Sequence, residues 1–217
     1  MKNELPKRIL SSVIIIPIAI FFIIKGSVIF MFFLSILFLA TSYEWTIMSK
    51  KNNLLKLLGI IFLFISFYTT FKFRNNVNYN EFLFIITICI FTDIGGYIFG
   101  KILKGPKLTK ISPKKTYAGV FGSFLLSFIA GLVFYNSYGI IMIPNEDLII
   151  FVFIIFISLI SQTGDLIISY FKRKAMFKDT GKIIPGHGGL LDRIDGMIFV
   201  FPLCYLISIL WKKKLLF

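Results

Sequence analysis

Long apolar runs constrain the fold of this sequence more than any other feature. A membrane-spanning helix needs about 20 residues, and seven runs reach or approach that length. Charged residues make up only 16% of the chain, against about 25% in soluble domains. The sequence therefore predicts an all-α, polytopic integral membrane bundle of about seven transmembrane helices, at Ile9–Ile24, Ser27–Trp45, Leu54–Phe71, Phe82–Phe99, Gly119–Ile143, Leu148–Phe171 and Gly196–Trp211.

The chain reads as one membrane-embedded domain over residues 1–217, because it shows neither an internal repeat nor a linker. Residues 1–80 hold the N-terminal spans, and residues 81–217 hold the other spans with two long basic loops. The first run resembles a signal peptide but lacks a small-residue cleavage site before Ser27. We therefore expect a retained anchor that forms a tight hairpin with the second span.

The distribution of basic residues predicts the topology. The chain has 24 Lys and Arg against ten Asp and Glu. Eighteen of these bases fall in alternate connections counted from the N-terminus, and six fall in the others. The positive-inside rule then places the N-terminus and both basic loops in the cytoplasm of a multi-pass cell-membrane protein. The tail at residues 212–214 disagrees, so either the rule fails there or the span count is wrong by one.

Two of the ten acids, Asp93 and Asp165, lie inside apolar spans. A charge at the bilayer centre costs at least about 2.5–3.5 kcal/mol, so such residues are candidates for a functional site. An interhelical hydrogen bond or a partner lysine is the structural alternative. Glu44, at the end of the second span, is interpreted as an interfacial residue, with a contribution to the site as the alternative.

The first basic loop runs from Lys101 to Thr116 and contains six lysines and no acid. This composition suits the binding of phosphates. It equally suits attraction to anionic headgroups, at about 1 kcal/mol for each lysine near the surface. Composition alone leaves both interpretations open.

The second basic loop, which begins at Lys172, is more specific. It ends in Asp192 and Asp195, which share one face if they lie on a helix. Paired carboxylates repel one another unless a cation joins them, and oxygen ligands favour Mg²⁺ over zinc. Glycines surround His187 and permit close approach to a ligand, while the planar guanidinium of Arg193 suits a phosphate. These features indicate phosphoryl or nucleotidyl transfer on a lipid.

These residues also resemble a known family. The segment Ser169-Tyr170-Phe171-Lys172-Arg173, followed by Lys178-Asp179, Pro185-Gly186-His187-Gly188-Gly189, Asp192-Arg193 and Asp195, is similar to the signature of the phosphatidate cytidylyltransferase (CDP-diacylglycerol synthase) family. Shorter motifs around Asp93–Lys101, Ser112–Gly119 and Gly164–Leu166 resemble the same family. The chain departs from its relatives at Ala118, where they tend to have an acid or amide, and it resembles a short bacterial member.

The resemblance implies transfer of a cytidylyl group from CTP to phosphatidate within the lipid bilayer, giving CDP-diacylglycerol and pyrophosphate. It implies one or two Mg²⁺ ions held by Asp165, Asp192 and Asp195, with Lys115 and His187 completing the catalytic set. The expected substrate-binding residues are Asp93, Lys101, Ser112, Lys114, Lys172, Arg173, Lys178, Gly188, Gly189 and Arg193.

Three alternatives compete with this interpretation. A CDP-alcohol phosphatidyltransferase shares the start of the motif at Asp192, but Phe199 and Val200 replace its Ala-Arg continuation and no acid follows Asp195. A non-enzymatic anion or lipid transporter explains the acids within the spans but not the second loop. Nucleic-acid binding is disfavoured because no soluble domain is present to read a groove. The sequence is compatible with a homodimer.

Overall fold

The helices of the structure correspond closely to the seven apolar runs. The computed structural model describes residues 4–109, 112, 115–140, 147–181, 183–184, 186 and 188–214. The all-helical fold class is confirmed, and a one-turn helix, α7, precedes the last span. The helices are α1 Glu4–Lys25, α2 Ser27–Met48, α3 Asn53–Asn76, α4 Tyr79–Ile102, α5 Tyr117–Tyr138, α6 Asp147–Lys174, α7 Leu191–Ile194 and α8 Met197–Lys214.

The surface of the bundle is suited to lipid. Within the described residues, five helices, α2 to α6, are long and apolar enough to cross a membrane. Shorter apolar helical stretches cover Val13–Lys25 and Met197–Leu210. Large apolar side chains such as Val28, Leu39 and Leu148 point outward. The chain is therefore a multi-pass membrane protein.

The first two helices form the tight hairpin that the sequence predicted. Only Gly26 separates α1 from α2, and it turns the chain with a positive φ of 65°. The last carbonyls of α1 accept hydrogen bonds from Arg74 of α3, with Nε donating to the oxygen of Ile23 at 2.7 Å and Nη2 to that of Ile24 at 3.2 Å. Arg74 thereby satisfies carbonyl groups that a helix end leaves without a partner.

Helices α4 and α5 form the closest pair in the bundle because small residues line their interface. A Cβ atom added to Gly95 would collide with the backbone of Gly122. Ser123 of α5 donates a hydrogen bond to the carbonyl of Thr92 at 2.7 Å, and the hydroxyl of Thr92 reaches that of Ser158 on α6 at 2.9 Å. Close backbone approach and hydroxyl hydrogen bonds are typical of helix pairs in membranes.

Both basic loops emerge at one end of the bundle, which we call the loop end. Successive helices run in alternating directions, so α4 ends where α5 begins, and α6 ends where α7 and α8 begin. The turn between α2 and α3 lies at the same end. The fold thus brings the two loops together although they are about 70 residues apart in the sequence.

We expect Gly95→Leu to destabilise the α4–α5 pair. Overpacking costs about 1–3 kcal/mol where neighbours adjust, and here the neighbour is backbone. The free energy of unfolding in detergent should therefore fall by at least this amount. The control is Ile94→Leu, which places a leucine at the adjacent, outward-facing position. Equal loss of stability in both variants would contradict the close helix contact.

Candidate active site

Polar side chains along one face of helix α6 contact both basic loops. Asp165, Ser169 and Lys172 are spaced at four and three residues, so they lie above one another on the helix. The hydroxyl of Ser169 donates to Oδ1 of Asp165 at 3.1 Å. Asp165 faces the first basic loop, and Lys172 faces the second.

Lys115 links the first loop to this face. Its Nζ atom lies 2.6 Å from Oδ2 of Asp165, and about a quarter of each side chain is exposed. The same ammonium also donates to the carbonyl oxygen of Gln162 at 3.4 Å. Asp165 is therefore partnered by a lysine, which was the structural alternative for an acid within a span.

Asp195 brings a second carboxyl group to Asp165. Only 7% of Asp195 is exposed, and its carboxyl group interacts with that of Asp165. Its Oδ1 also accepts a hydrogen bond from the backbone of Gly196 at 2.9 Å. Asp93 of α4 interacts electrostatically with Asp165, and Lys115 and Arg193 are its positive neighbours. Asp93, Asp165 and Asp195 thus lie near one another at the loop end.

Asp192 has different partners. Its Oδ1 lies 2.7 Å from Nζ of Lys172, and both side chains are only 10% exposed. Its Oδ2 accepts hydrogen bonds from the backbone of Thr180 at 2.8 Å and of Gly189 at 3.2 Å. The three acids predicted to share a metal are therefore divided in their contacts. Across the described residues, no group of three His, Cys, Asp or Glu side chains is arranged to hold a metal ion.

The second loop folds back on itself beside this ion pair. The backbone N–H of Ile184 donates to the carbonyl of Gly188 at 3.0 Å, and Gly186 and Gly188 adopt positive φ angles of 77° and 87°. The glycine at 189 serves packing, because a Cβ there would collide with Thr180. The hydrogen bond between residues 184 and 188 and the packing of Gly189 on Thr180 therefore hold the described residues of this segment together.

The first loop is held in a similar way at its base. Lys107 pairs with Thr116 in an antiparallel bridge, and the N–H of Leu108 donates to the carbonyl of Lys115 at 2.8 Å. The hydroxyl of Thr116 caps α5 by accepting from the N–H of Gly119 at 3.1 Å. These contacts place Lys115 at the start of α5, within reach of α6.

The other predicted binding residues surround this centre or lie outside the described part. Lys101, Arg173, Lys178 and Arg193 are exposed, and Ser112 is half-buried. Lys101 lies 3.4 Å from the hydroxyl of Tyr97. Lys114 and His187, which the sequence also predicted for the site, lie outside the described residues.

The sequence did not predict the contacts that Glu44 makes with the second loop. Glu44 was interpreted as interfacial, but only 1% of it is exposed and its carboxylate accepts three hydrogen bonds from the second loop. The sequence feature that could have pointed to this role is an acid between two aromatic residues, Tyr43 and Trp45, at the end of a helix. This feature does not reveal the partners, which lie more than 130 residues away.

Known proteins are similar to this chain along most of its length. A model of the cytidylyltransferase family matches residues 54–211. Phosphatidate cytidylyltransferase of Rickettsia felis is 33% identical over 220 residues, covering 96% of this chain and 94% of that protein. The Rickettsia typhi protein of the same name is 35% identical over 214 residues, covering 96% and 93%. One from Staphylococcus epidermidis is 44% identical over 128 residues, covering 58% and 48%.

The chain therefore belongs to the cytidylyltransferase family, which confirms the resemblance read from its motifs. The matched segment contains both basic loops and the acids at 93, 165, 192 and 195. Helices α1 and α2, with Glu44, precede it.

We expect Lys172→Met to destabilise the second loop and the bundle beneath it. The substitution would leave Asp192 buried without its cation, and breaking a buried ion pair from one side costs about 3–5 kcal/mol. Denaturation in detergent should show this loss. Lys174→Met is the control, because that exposed lysine lies in the same helical turn and should change stability by less than about 0.5 kcal/mol. A loss of similar size in the control would argue against a stabilising role of the ion pair.

Proposed function

We propose that this cytidylyltransferase acts on phosphatidate, transferring a cytidylyl group from CTP to give CDP-diacylglycerol and pyrophosphate in phospholipid biosynthesis. The observation that carries the proposal is the contact of Lys115 and Asp195 with Asp165, between two basic loops at one end of a membrane bundle. The names of the Rickettsia and Staphylococcus relatives support the same pair of substrates.

The reaction needs charge neutralisation more than a strong base. A phosphate oxygen of the lipid forms a bond to the α-phosphorus of CTP, while the bond from that phosphorus to the oxygen bridging to the β-phosphate breaks. Pyrophosphate leaves with the bonding electron pair. The lipid phosphate is already anionic at neutral pH, so the protein has to bring two anions together and align them.

Lysine and arginine side chains at the loop end are suited to that task. Lys115 presents a half-buried ammonium beside Asp165, where a reacting phosphate would gain strong electrostatic stabilisation. Arg193 interacts electrostatically with Asp93 of the same group. The remaining proposed contacts to the triphosphate and lipid phosphate come from Lys101, Ser112, Lys114, Lys172, Arg173, Lys178, His187 and the backbone at Gly188 and Gly189.

A divalent cation such as Mg²⁺ fits the pair formed by Asp165 and Asp195. Two neighbouring carboxylates repel one another unless a proton or a cation lies between them. Mg²⁺ is commonly held by one or two carboxylates together with substrate phosphates, so a cage of three protein ligands is not needed. When bound, the ion would neutralise charge on the reacting phosphates. For Asp192 to bind the ion as well, as the sequence predicted, its ion pair with Lys172 would have to break.

The proposed orientation places the loop end in the cytoplasm. It rests on the excess of basic residues in the two loops and in the turn between α2 and α3. Helix α8 leaves the loop end, so residues 212–214 lie at the opposite end and remain the exception to the rule.

Membranes containing the chain should convert labelled CTP into an organic-soluble lipid when phosphatidate and Mg²⁺ are both supplied. We expect Asp195→Asn to lower this rate by about 100-fold or more, because it removes a carboxylate proposed to hold the cation that neutralises the reacting phosphates. Glu81→Gln is the control, since it alters another buried acid, at the N-terminus of α4 and the opposite end of the bundle. A wild-type chain that forms no labelled lipid would refute the proposed reaction, and full activity in Asp195→Asn would refute the role of that carboxyl.

The same preparation separates the competing functions. A CDP-alcohol phosphatidyltransferase would release CMP from CDP-diacylglycerol when an alcohol such as glycerol 3-phosphate is added. A transporter would take up labelled anions without converting them. We expect neither result, and instead expect consumption of CTP to require phosphatidate.

A further inference from the structure

Glu44 is the most deeply buried acid described at the loop end, and the proposed reaction leaves it without a role. It lies in the last turns of α2, with 1% of its surface exposed. It precedes the segment matched by the family model, whereas all of its hydrogen-bond donors lie within that segment.

Both carboxylate oxygens of Glu44 bind the second loop. Oε2 accepts from the hydroxyl of Thr180 at 2.9 Å and from the N–H of Leu191 at 2.8 Å. Oε1 accepts from the N–H of Leu190 at 2.9 Å. Hydrogen bonds to a charged acceptor are about twice as strong as those between neutral groups. One side chain thus joins the start of the loop at 180 to its end at 190 and 191.

Two glycines of the loop make room for this carboxylate. A Cβ atom on Gly181 would collide with the side chain of Glu44, and one on Gly189 would collide with Thr180 and lie within 2.8 Å of Oε2 of Glu44. The absence of side chains at these positions is explained by contact with Glu44. The loop sequence and the acid on α2 are therefore complementary.

Helix α2 presents Glu44 from a rigid position. The neighbouring Trp45 donates from Nε1 to the carbonyl of Leu55 at 3.2 Å, and its ring packs edge-on against Phe171 at 5.3 Å. Phe171 adjoins Lys172, which pairs with Asp192. Asp192 in turn accepts from the N–H of Thr180, the residue whose hydroxyl binds Glu44. Glu44 and Asp192 therefore bind the same two parts of the loop, around Thr180 and around residues 189–191.

From this geometry we propose that Glu44 is a positioning residue for the reaction: it holds the two described ends of the second loop, at Thr180 and at residues 190 and 191, in the arrangement that binds the phosphates of CTP. It acts through the loop and touches no reacting atom. The kinetic part of this inference rests on the proposed function, whereas the structural part concerns the loop alone.

The first test measures the loop without any substrate. Hydrogen–deuterium exchange should be about tenfold faster or more at the amides of Leu190 and Leu191 in Glu44→Gln, because an amide group cannot replace both carboxylate oxygens as acceptors. Exchange in α4 and α5 should not change. Glu81→Gln, the matched loss of a buried acid away from the loop, should leave Leu190 and Leu191 protected. Unchanged exchange at these two amides in Glu44→Gln would overturn the proposal whether or not the chain is active.

The second test separates positioning from general stability. We expect Glu44→Gln to raise the KM for CTP about tenfold, with a change of less than about twofold in the KM for phosphatidate. A merely structural role would lower the amount of active protein and leave both KM values unchanged, and that result would overturn the proposal. A wild-type chain that makes no product would refute the proposed reaction, and the exchange test would still decide the role of Glu44.

A milder pair of variants covers the case in which Glu44→Gln does not fold. Thr180→Val keeps the shape of the side chain and removes one donor to Glu44, so exchange at Leu191 and the KM for CTP should both rise about threefold. Thr180→Ser restores the hydroxyl and should return both quantities toward wild-type values. Equal behaviour of the valine and serine variants would overturn the proposal.

Discussion

Buried carboxylates at the loop end determine how both loops lie on the helical bundle. A buried charge is tolerated only when ion pairs and hydrogen bonds replace the water it has lost. Asp165 obtains Lys115 from the first loop, and Asp192 obtains Lys172 together with two backbone N–H groups of the second. Each acid therefore binds a segment of a basic loop at the end of the bundle.

The helices beneath must be close together for these contacts to form. Lys115 reaches Asp165 because α5 begins beside α6, and α5 is in turn held against α4 by glycine contacts within the membrane. The hydroxyl groups of Thr92, Ser123 and Ser158 continue this connection across α4, α5 and α6. Small residues in the interior thus determine the geometry of charged groups at the loop end.

The fold was largely predictable from the sequence because lipid imposes a simple pattern. A helix that crosses a bilayer must be apolar along most of its length, so hydropathy predicted each of the seven long helices, with ends that differ by up to about five residues. The acids were equally predictable as a group, since an acid in an apolar span is rare. Their partners were not, because contacts such as Lys115 with Asp165 depend on tertiary packing.

Asp192 and Glu44 show where the pattern stops being informative. Spacing suggested that Asp192 and Asp195 share a ligand, yet one pairs with Lys172 and the other contacts Asp165. A carboxylate three residues from another is suited to a metal, a lysine or backbone N–H groups, and only the surrounding chain selects among them. For Glu44, that surrounding chain is more than 130 residues away.

The basic residues therefore fall into two groups, those that pair with acids of the protein and those that are exposed. Lys115 and Lys172 neutralise acids of the protein itself, and this holds the loops in place. Exposed residues such as Lys101, Lys178 and Arg193 add net positive charge, which under the proposed function would attract CTP and the lipid phosphate. Under the proposed function Lys115 would contribute to both, because its side chain is about a quarter exposed and could contact an incoming phosphate while it stays paired with Asp165. An ion pair at the edge of the bundle would suit a phosphate in this role, since the cost of ordering and partly desolvating the lysine is met during folding.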